Sequence, residues 1–236
     1  MDDMHTRTQL MIGSDGVDRL RDASVILCGC GAVGGYVLEG LVRGGVGRIR
    51  VVDSDVFSES NMNRQVLATM DTIGRCKVEV ACERARSINP SIEIEGIDSF
   101  VDASTIPLIL DGDYDILVDA IDTIGPKCAL LDAACARHIR TFSSMGAALH
   151  LDATAVRVAP LSKTKVCPLA RNVRGRLKGC DTSNITSVYS EEIPVSRPSE
   201  QDEHGKGILG SMPTIPAIFG MTLANEVIRY ILGLRD

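Results

Sequence analysis

Apolar positions in the first two thirds of the chain form short continuous runs, and segments with helical spacing separate them. Ser24-Val25-Ile26-Leu27-Cys28 is such a run, and the glycine cluster Gly29-Cys30-Gly31-Ala32-Val33-Gly34 follows at once. An amphipathic segment then reaches Arg43, Gly44-Gly45 turns the chain, and Arg48-Ile49-Arg50-Val51-Val52 leads to Asp53. The pattern predicts strand, tight turn, helix and strand. Before it, Arg7 to Arg21 places Leu10, Met11, Ile12, Val17 and Leu20 on a short helical arm. After it, Arg75 to Ile88 reads as a helix that Asn89-Pro90 ends. Ile92 to Ile97 alternates as a strand, Ser104 to Leu110 is a short helix, and Tyr114 to Ala120 is a strand. That strand delivers Asp119 and Asp122 at its C-terminal end. Lys127 to His138 is a helix and Ile139 to Ser143 the next strand.

Beyond Ser144-Met145-Gly146 the pattern changes. Ala153 to Val158 alternates like an antiparallel strand, and Asn184 to Ser190 is a second candidate, with a basic stretch between them. Pro194 to Gly210 is polar, contains Pro198 and three glycines, and reads as a mobile loop. Ala217 to Leu232 closes the chain as a helix. The expected fold is α/β: a Rossmann-like, doubly wound, mostly parallel sheet with a C-terminal antiparallel extension and a closing helix. We expect one domain over residues 1–236. Its nucleotide part spans 5–150, its substrate-facing extension 151–236, and its mobile loop about 194–210.

Composition narrows this only slightly. Hydrophobic residues make up 44% of the 236 residues, aromatics 3%, and there is no Trp. The core must therefore be aliphatic, which suits a parallel sheet buried on both faces. The eight cysteines show no C-x-x-C spacing, so a four-cysteine zinc site is not expected. They read as reduced, mostly buried thiols, with Cys167 and Cys180 as the exposed exceptions. No signal pattern and no membrane-length apolar run is present, so a cytoplasmic protein without a membrane span is expected. The net charge of −6 excludes a basic field over the whole molecule.

The candidate chemistry begins at the glycines. Gly29 allows the turn, Gly31 lets backbone approach a phosphate, and Gly34 lets helix and strand close up. Asp53 follows at roughly the distance at which an acid holds a ribose hydroxyl. On that pattern alone an NAD-binding fold is the favoured reading. The polar cluster Ser60-Asn61-Met62-Asn63-Arg64-Gln65, together with Lys77 and Asp122, shifts the choice to ATP. Arg64 offers a bidentate fork and Lys77 a point charge to a triphosphate, and Asp122 suits Mg²⁺ at a strand end. Taken singly, Lys77 reads as an exposed helix residue and Asp122 as a turn or cap residue. No G-x-x-x-x-G-K-[ST] is present, so attack at the α-phosphate is the expected chemistry.

Gly29-x-Gly31-x-x-Gly34, Asp53-Ser54-Asp55, Ser60 to Gln65, Ile73-Gly74-x-x-Lys77, Ile88-Asn89-Pro90 and Val118-Asp119-Ala120-Ile121-Asp122 resemble the ubiquitin-activating-type, ThiF-like adenylating superfamily. Further motifs resemble its tRNA threonylcarbamoyladenosine dehydratase branch: Ser143-Ser144-Met145-Gly146, Leu151-Asp152-Ala153-Thr154, Lys163 to Ala170 and Val188 to Glu192. Ala153 stands where that branch usually has proline. The resemblance implies ATP and Mg²⁺, with Arg64, Lys77, Asp122 and Arg7 as catalytic residues and Asp122 on the metal. It further implies nucleotide contacts from Gly29, Gly31, Gly34, Asp53, Asp55, Ser60, Asn61 and Gln65. It also implies a homodimer in which Arg7 reaches the phosphates of a neighbouring subunit. The family's first N-terminal arginine is missing from Met4-His5-Thr6-Arg7-Thr8, which leaves open how the arm is anchored.

The residues themselves also point to RNA. From Ala153 to Cys180 there is no Asp or Glu. Arg157, Lys163, Lys165, Arg171, Arg174, Arg176 and Lys178 fall in that stretch, although the chain is acidic overall. A phosphate-tracking patch for tRNA is the favoured reading over a solvated helix face. Three rivals remain: an activator of a sulfur-carrier or ubiquitin-like protein, with sulfur-transfer partners; an NAD-dependent dehydrogenase; and a non-catalytic binding module. Cys167 as an acceptor thiol and His150 as a base are weighed against plain structural roles.

Overall fold

The computed structural model describes residues 4–195 and 209–234. The expected loop at 194–210 therefore lies largely outside the described residues. Helix α1 (Thr6–Asp22) is broken at Gly13, whose backbone turns left-handed (φ 74°). Strand β1 (Ser24–Cys28), helix α2 (Gly34–Gly44) and strand β2 (Arg48–Asp53) form the first βαβ unit. Then come α3 (Lys77–Ile88), β3 (Glu93–Asp98), α4 (Ile106–Ile109), β4 (Ile116–Asp119), α5 (Ile124–Ala136) and β5 (Arg140–Ser144). β6 (Val156–Pro160), α6 (Pro168–Arg176), β7 (Ile185–Ser190) and α7 (Thr214–Ile231) complete the chain.

The seven strands lie in the order β3-β2-β1-β4-β5-β7-β6, parallel except for the antiparallel β6–β7 pair. The order reverses between β1 and β4. A crevice opens there, beyond the carboxyl ends of the strands. Cys28 is in register with Val52 on one side and Asp119 on the other. The glycine turn therefore leaves the sheet flanked by Asp53 and Asp119.

β1 is buried along its whole length, as its unbroken apolar run requires. One face of the sheet packs Val25, Leu27, Ile49 and Val51 against α2, α3 and α7. The other packs Ile26, Cys28 and Leu117 against Ile106, Ile109, Leu130 and Ala134 of α4 and α5. A third cluster joins α5, α6 and β7 through Leu131, Val173 and Ile185. Each such aliphatic side chain contributes roughly 1.5–3 kcal/mol relative to leaving it in water.

Several expected boundaries move, for local reasons. α5 begins at Ile124 and α7 at Thr214 because Pro126 and Pro216 sit in first turns, where a missing N–H costs nothing. The strand expected at Ala153 starts at Val156. Asp152 accepts bonds from the Thr154 N–H (2.8 Å) and hydroxyl (2.6 Å), winding residues 153–155 into a single 3-10 turn. Cys167, expected exposed, is buried in the third cluster, and Cys180 is half-buried.

Glu39 of α2 is bonded by Arg43 (2.7 Å) and by Arg84 of α3, tying the two helices together. Burial alone would raise its carboxyl; the two guanidinium partners outweigh burial and hold it below the usual range. No described helix is long and apolar enough to cross a membrane.

Candidate functional site

The site grows out of the turn after β1. Gly29 has φ 94°, and any side chain there would meet the Ala120 carbonyl oxygen at 2.9 Å. A side chain at Gly34 would overlap the carbonyl oxygen of Gly29. These two glycines set the close approach of α2 to the sheet. Gly31 differs: a methyl group there would meet nothing nearer than the Gln65 amide nitrogen, at 3.8 Å. It lies in the turn just before α2, whose Gly35 and Tyr36 N–H groups already donate to the Gly31 (3.0 Å) and Val33 (3.1 Å) oxygens, so what this end of α2 offers an anion is chiefly the partial positive charge of the helix N-terminus.

Beyond β2 the chain leaves the sheet and returns. A bridge pairs Val56 with Cys76, and Phe57 exchanges bonds with Gly74 (2.8 Å) and Arg75 (3.0 Å). Residues 58–73 are therefore an excursion closed at its base, and it carries the polar cluster. Within it the Ser58 N–H donates to the Asn61 carbonyl oxygen of the side chain (3.2 Å) and the Gln65 N–H to the Asn61 backbone oxygen (2.9 Å). Arg64 Nη1 donates to the Ser60 backbone oxygen and to Asn63 Oδ1, both at 2.8 Å. Lys77 begins α3, and its Nζ donates to Asp55 Oδ2 at 2.7 Å. Its side chain is 6% exposed and that of Asp55 67%. It is not the exposed helix residue that it resembles when taken alone.

A cleft of about 700 Å³ lies over these groups. Gly29, Gly31, Asp53, Asp55, Asn61, Arg64, Gln65, Lys77 and Asp122 all line it. Val33, Val52, Phe100, Val101, Ile121 and Pro126 supply apolar walls. Its other end is formed by residues 144–148, Leu169 at the start of α6, and Leu209, Ser211 and Pro216. Gly34 and Ser60 do not line it; they act behind the wall, Gly34 in packing and Ser60 through its bond to Arg64.

Asp53 is already engaged, its two oxygens accepting from the N–H groups of Cys30 (2.6 Å) and Asp55 (2.9 Å). A carboxylate offers about four lone-pair sites, so a further hydroxyl can still be accepted. Gln65 Oε1 is buried without a hydrogen-bond partner among the described residues, which suits a ligand donor. Asp122 is exposed at the end of β4 and accepts from the Thr123 hydroxyl at 3.0 Å. Among the described residues, no three His, Cys, Asp or Glu side chains gather as a metal cluster.

Beneath the floor lies a feature that the sequence reading missed. Lys127 and Asp119 are fully buried and paired. Lys127 Nζ also donates to the Ser144 backbone oxygen (2.9 Å), and the Ser143 hydroxyl donates to Asp119 (2.6 Å). The pair fastens the loop after β4, which carries Asp122, to the end of β5. Its only sequence signal is an Asp at a strand end followed eight residues later by a Lys inside an apolar helix.

His150 is buried and does not line the cleft. Burial lowers its basicity and the nearby Glu192 partly opposes this, so its place is structural. Leu149 beside it has a left-handed backbone (φ 65°). Its N–H donates to the Gly210 oxygen and its own oxygen accepts from the Val195 N–H, both at 3.0 Å.

The basic stretch folds as α6 and its flanks. Lys163, Lys165, Arg171, Arg176 and Lys178 are exposed. Arg174 is half-buried and donates to Thr164 (3.0 Å to its backbone oxygen). Arg157 is committed to Glu191 at 3.4 Å. Arg7 is exposed on α1 and does not line its own chain's cleft. The arm packs down two residues earlier: the His5 ring lies where a side chain on Gly45 would meet it at 2.9 Å.

Comparison with known proteins places these features in context. The tRNA threonylcarbamoyladenosine dehydratase of Bacillus subtilis is 33% identical over 238 residues, 96% of this chain and 94% of that protein. The enzyme of the same name from Escherichia coli is 37% identical over 72% of this chain and 64% of its own length. The crystal structure of the E. coli tRNA N6-threonylcarbamoyladenosine dehydratase in complex with ATP matches with a TM-score of 0.88 and 29% identity. That match covers 97% of this chain and 93% of that one. The model of the ThiF family matches residues 5–236. The chain belongs to the ThiF family.

Proposed function

We propose that this protein is an ATP-dependent dehydratase that closes a ring on threonylcarbamoyladenosine in tRNA through a carboxyl adenylate. One observation carries the reading: a single cleft joins a phosphate-suited end to the start of the basic helix α6, in a chain that matches the named dehydratases along nearly its whole length. ATP enters with its triphosphate over Gly31 and the N-terminus of α2, its base between the apolar walls, and its ribose at Asp53. The threonine carboxylate of the tRNA nucleoside approaches from residues 144–148 and Leu169, the acceptor end. It attacks the α-phosphorus and pyrophosphate departs. Lys77 and Arg64 stabilise the charge that grows on the phosphates, which is the largest contribution such a site makes. An internal nucleophile of the same nucleoside then attacks the activated carbonyl, AMP leaves, and the net change is loss of one water.

Asp122 fits Mg²⁺, which keeps several waters and takes one or two carboxylates beside phosphate oxygens. When bound, the ion would offset charge on the leaving pyrophosphate. The cations of α6 run away from the acceptor end and suit the tRNA backbone, held mainly by charge. The assembly is a homodimer in which Arg7 serves the partner's cleft. The test is to incubate the protein with ATP, Mg²⁺ and tRNA carrying the open modification, and to weigh the nucleoside by mass spectrometry. Loss of one water with AMP release is expected. An unchanged nucleoside, with AMP released only when a small carrier protein ending in Gly-Gly is added, would replace this reading by carrier-protein activation. Truncation through Arg7 should weaken turnover without unfolding the protein; unchanged turnover removes the arm from the mechanism.

A further inference from the structure

Asn63 belongs to none of the roles above, yet it is the joint between the two ends of the cleft. Its Oδ1 accepts from Arg64 Nη1 at 2.8 Å, and its Nδ2 donates to the Ser211 backbone oxygen at 2.9 Å. One planar amide thus holds a phosphate-end guanidinium and a backbone carbonyl that is 148 residues away along the chain. Ser211 lines the cleft, and its neighbour Gly210 is bonded to Leu149, next to cleft residue Ala148. A continuous line of contacts runs from Arg64 through Asn63, Ser211, Gly210 and Leu149 to the loop after β5. Asn63 is exposed, so nothing in the core demands an amide there.

We infer that Asn63 is a positioning residue. It fixes the Arg64 guanidinium relative to the acceptor end, so that the cation is aimed at the phosphates only when the 209–212 segment is in place. The inference rests on the dehydratase reading for the naming of the two ends. The amide is well matched to this task, because it presents an acceptor to a cation and a donor to a carbonyl at once. A carboxylate of the same shape keeps the first bond and loses the second.

Three proteins test it: wild type, Asn63→Ala and Asn63→Asp. Both variants should melt with the wild type. Equilibrium ATP affinity without tRNA should change by less than about threefold, since uniform binding is not what Asn63 provides. The kcat for AMP formation on modified tRNA should fall on the order of tenfold or more in both. Rescue of kcat by Asn63→Asp would show that holding Arg64 is the whole role and would overturn the inference, as would a wild-type kcat in both variants. A second readout needs ATP alone. Amide exchange at residues 209–212 should slow when ATP binds the wild type and stay unchanged in both variants. No slowing in the wild type overturns the inference. Failure of wild-type protein to dehydrate tRNA, with that slowing intact, overturns only the functional reading.

Discussion

Lys77 and Arg171 carry the same charge, and the fold treats them in opposite ways. Lys77 is buried at the head of α3 with Asp55 against it and its Nζ 5.9 Å from the centre of the buried Phe57 ring. Arg171 stands exposed on α6, in a stretch from 153 to 180 without a carboxylate. At the Lys77 end of the cleft three groups are aimed by others: Asp53 by two N–H groups, Arg64 by Asn63 and Ser60, and Lys77 by Asp55. Along α6 and its end, Arg171, Arg176 and Lys178 stand exposed in a segment with no carboxylate to aim them. Under the proposed function, the first arrangement suits charge that develops at one place and the second a polyanion along its length. Substitutions should therefore act singly and steeply in one region, and additively and with salt dependence in the other.

The steepest test lies beneath the first region. Lys127→Met leaves Asp119 buried without its partner, which should cost about 3–5 kcal/mol of folding stability in denaturant titrations. A loss near zero would mean that the floor relaxes and is not braced as described. Next, Lys77→Ala leaves only an exposed Asp55 behind, so stability should hold while AMP formation falls about 10²–10³-fold. A matching fall in melting temperature would make Lys77 a structural residue. On the α6 side, replacing Arg171, Arg176 and Lys178 together by Ala should leave ATP affinity intact. For three lost phosphate contacts, the log–log salt slope of tRNA affinity should drop by about 2–3. Loss of ATP affinity in that variant would erase the contrast between the regions.

The smallest effect concerns pH. Burial holds the imidazole of His150 below its ordinary 6.5, against the opposing pull of Glu192. The unfolded chain therefore takes up a proton before the folded protein does. The stabilisation is complete above that value and is lost as pH falls below it. His150→Gln should flatten the decline in melting temperature between about pH 7 and pH 5.

The sheet and its glycine turn were legible because their signals are local. An apolar run, a glycine turn and an acid at the end of the next strand lie within a few dozen residues, and each has a single geometric meaning. The basic stretch is read from the sequence only by its charge, with a solvated helix face as the alternative; the fold makes it helix α6 and turns Ala170 and Val173 into the third cluster. Cys167 looked exposed because its neighbours in sequence are polar, whereas its neighbours in space are Met145, Leu161 and Ala170. The Asp119–Lys127 pair and the Asn63–Ser211 bond escaped for another reason. Each depends on which strand end or segment meets which, and no periodicity carries that information.

Leu149 has a consequence for engineering. Its N–H and its oxygen hold Gly210 and Val195, so the chain departs toward residue 196 and returns at residue 209 through one doorway. Lengthening a closed segment costs only about 0.6 kcal/mol per doubling. A reporter peptide grafted beyond Val195 should therefore leave both bonds to Leu149 in place, which makes this doorway a candidate port for affinity handles.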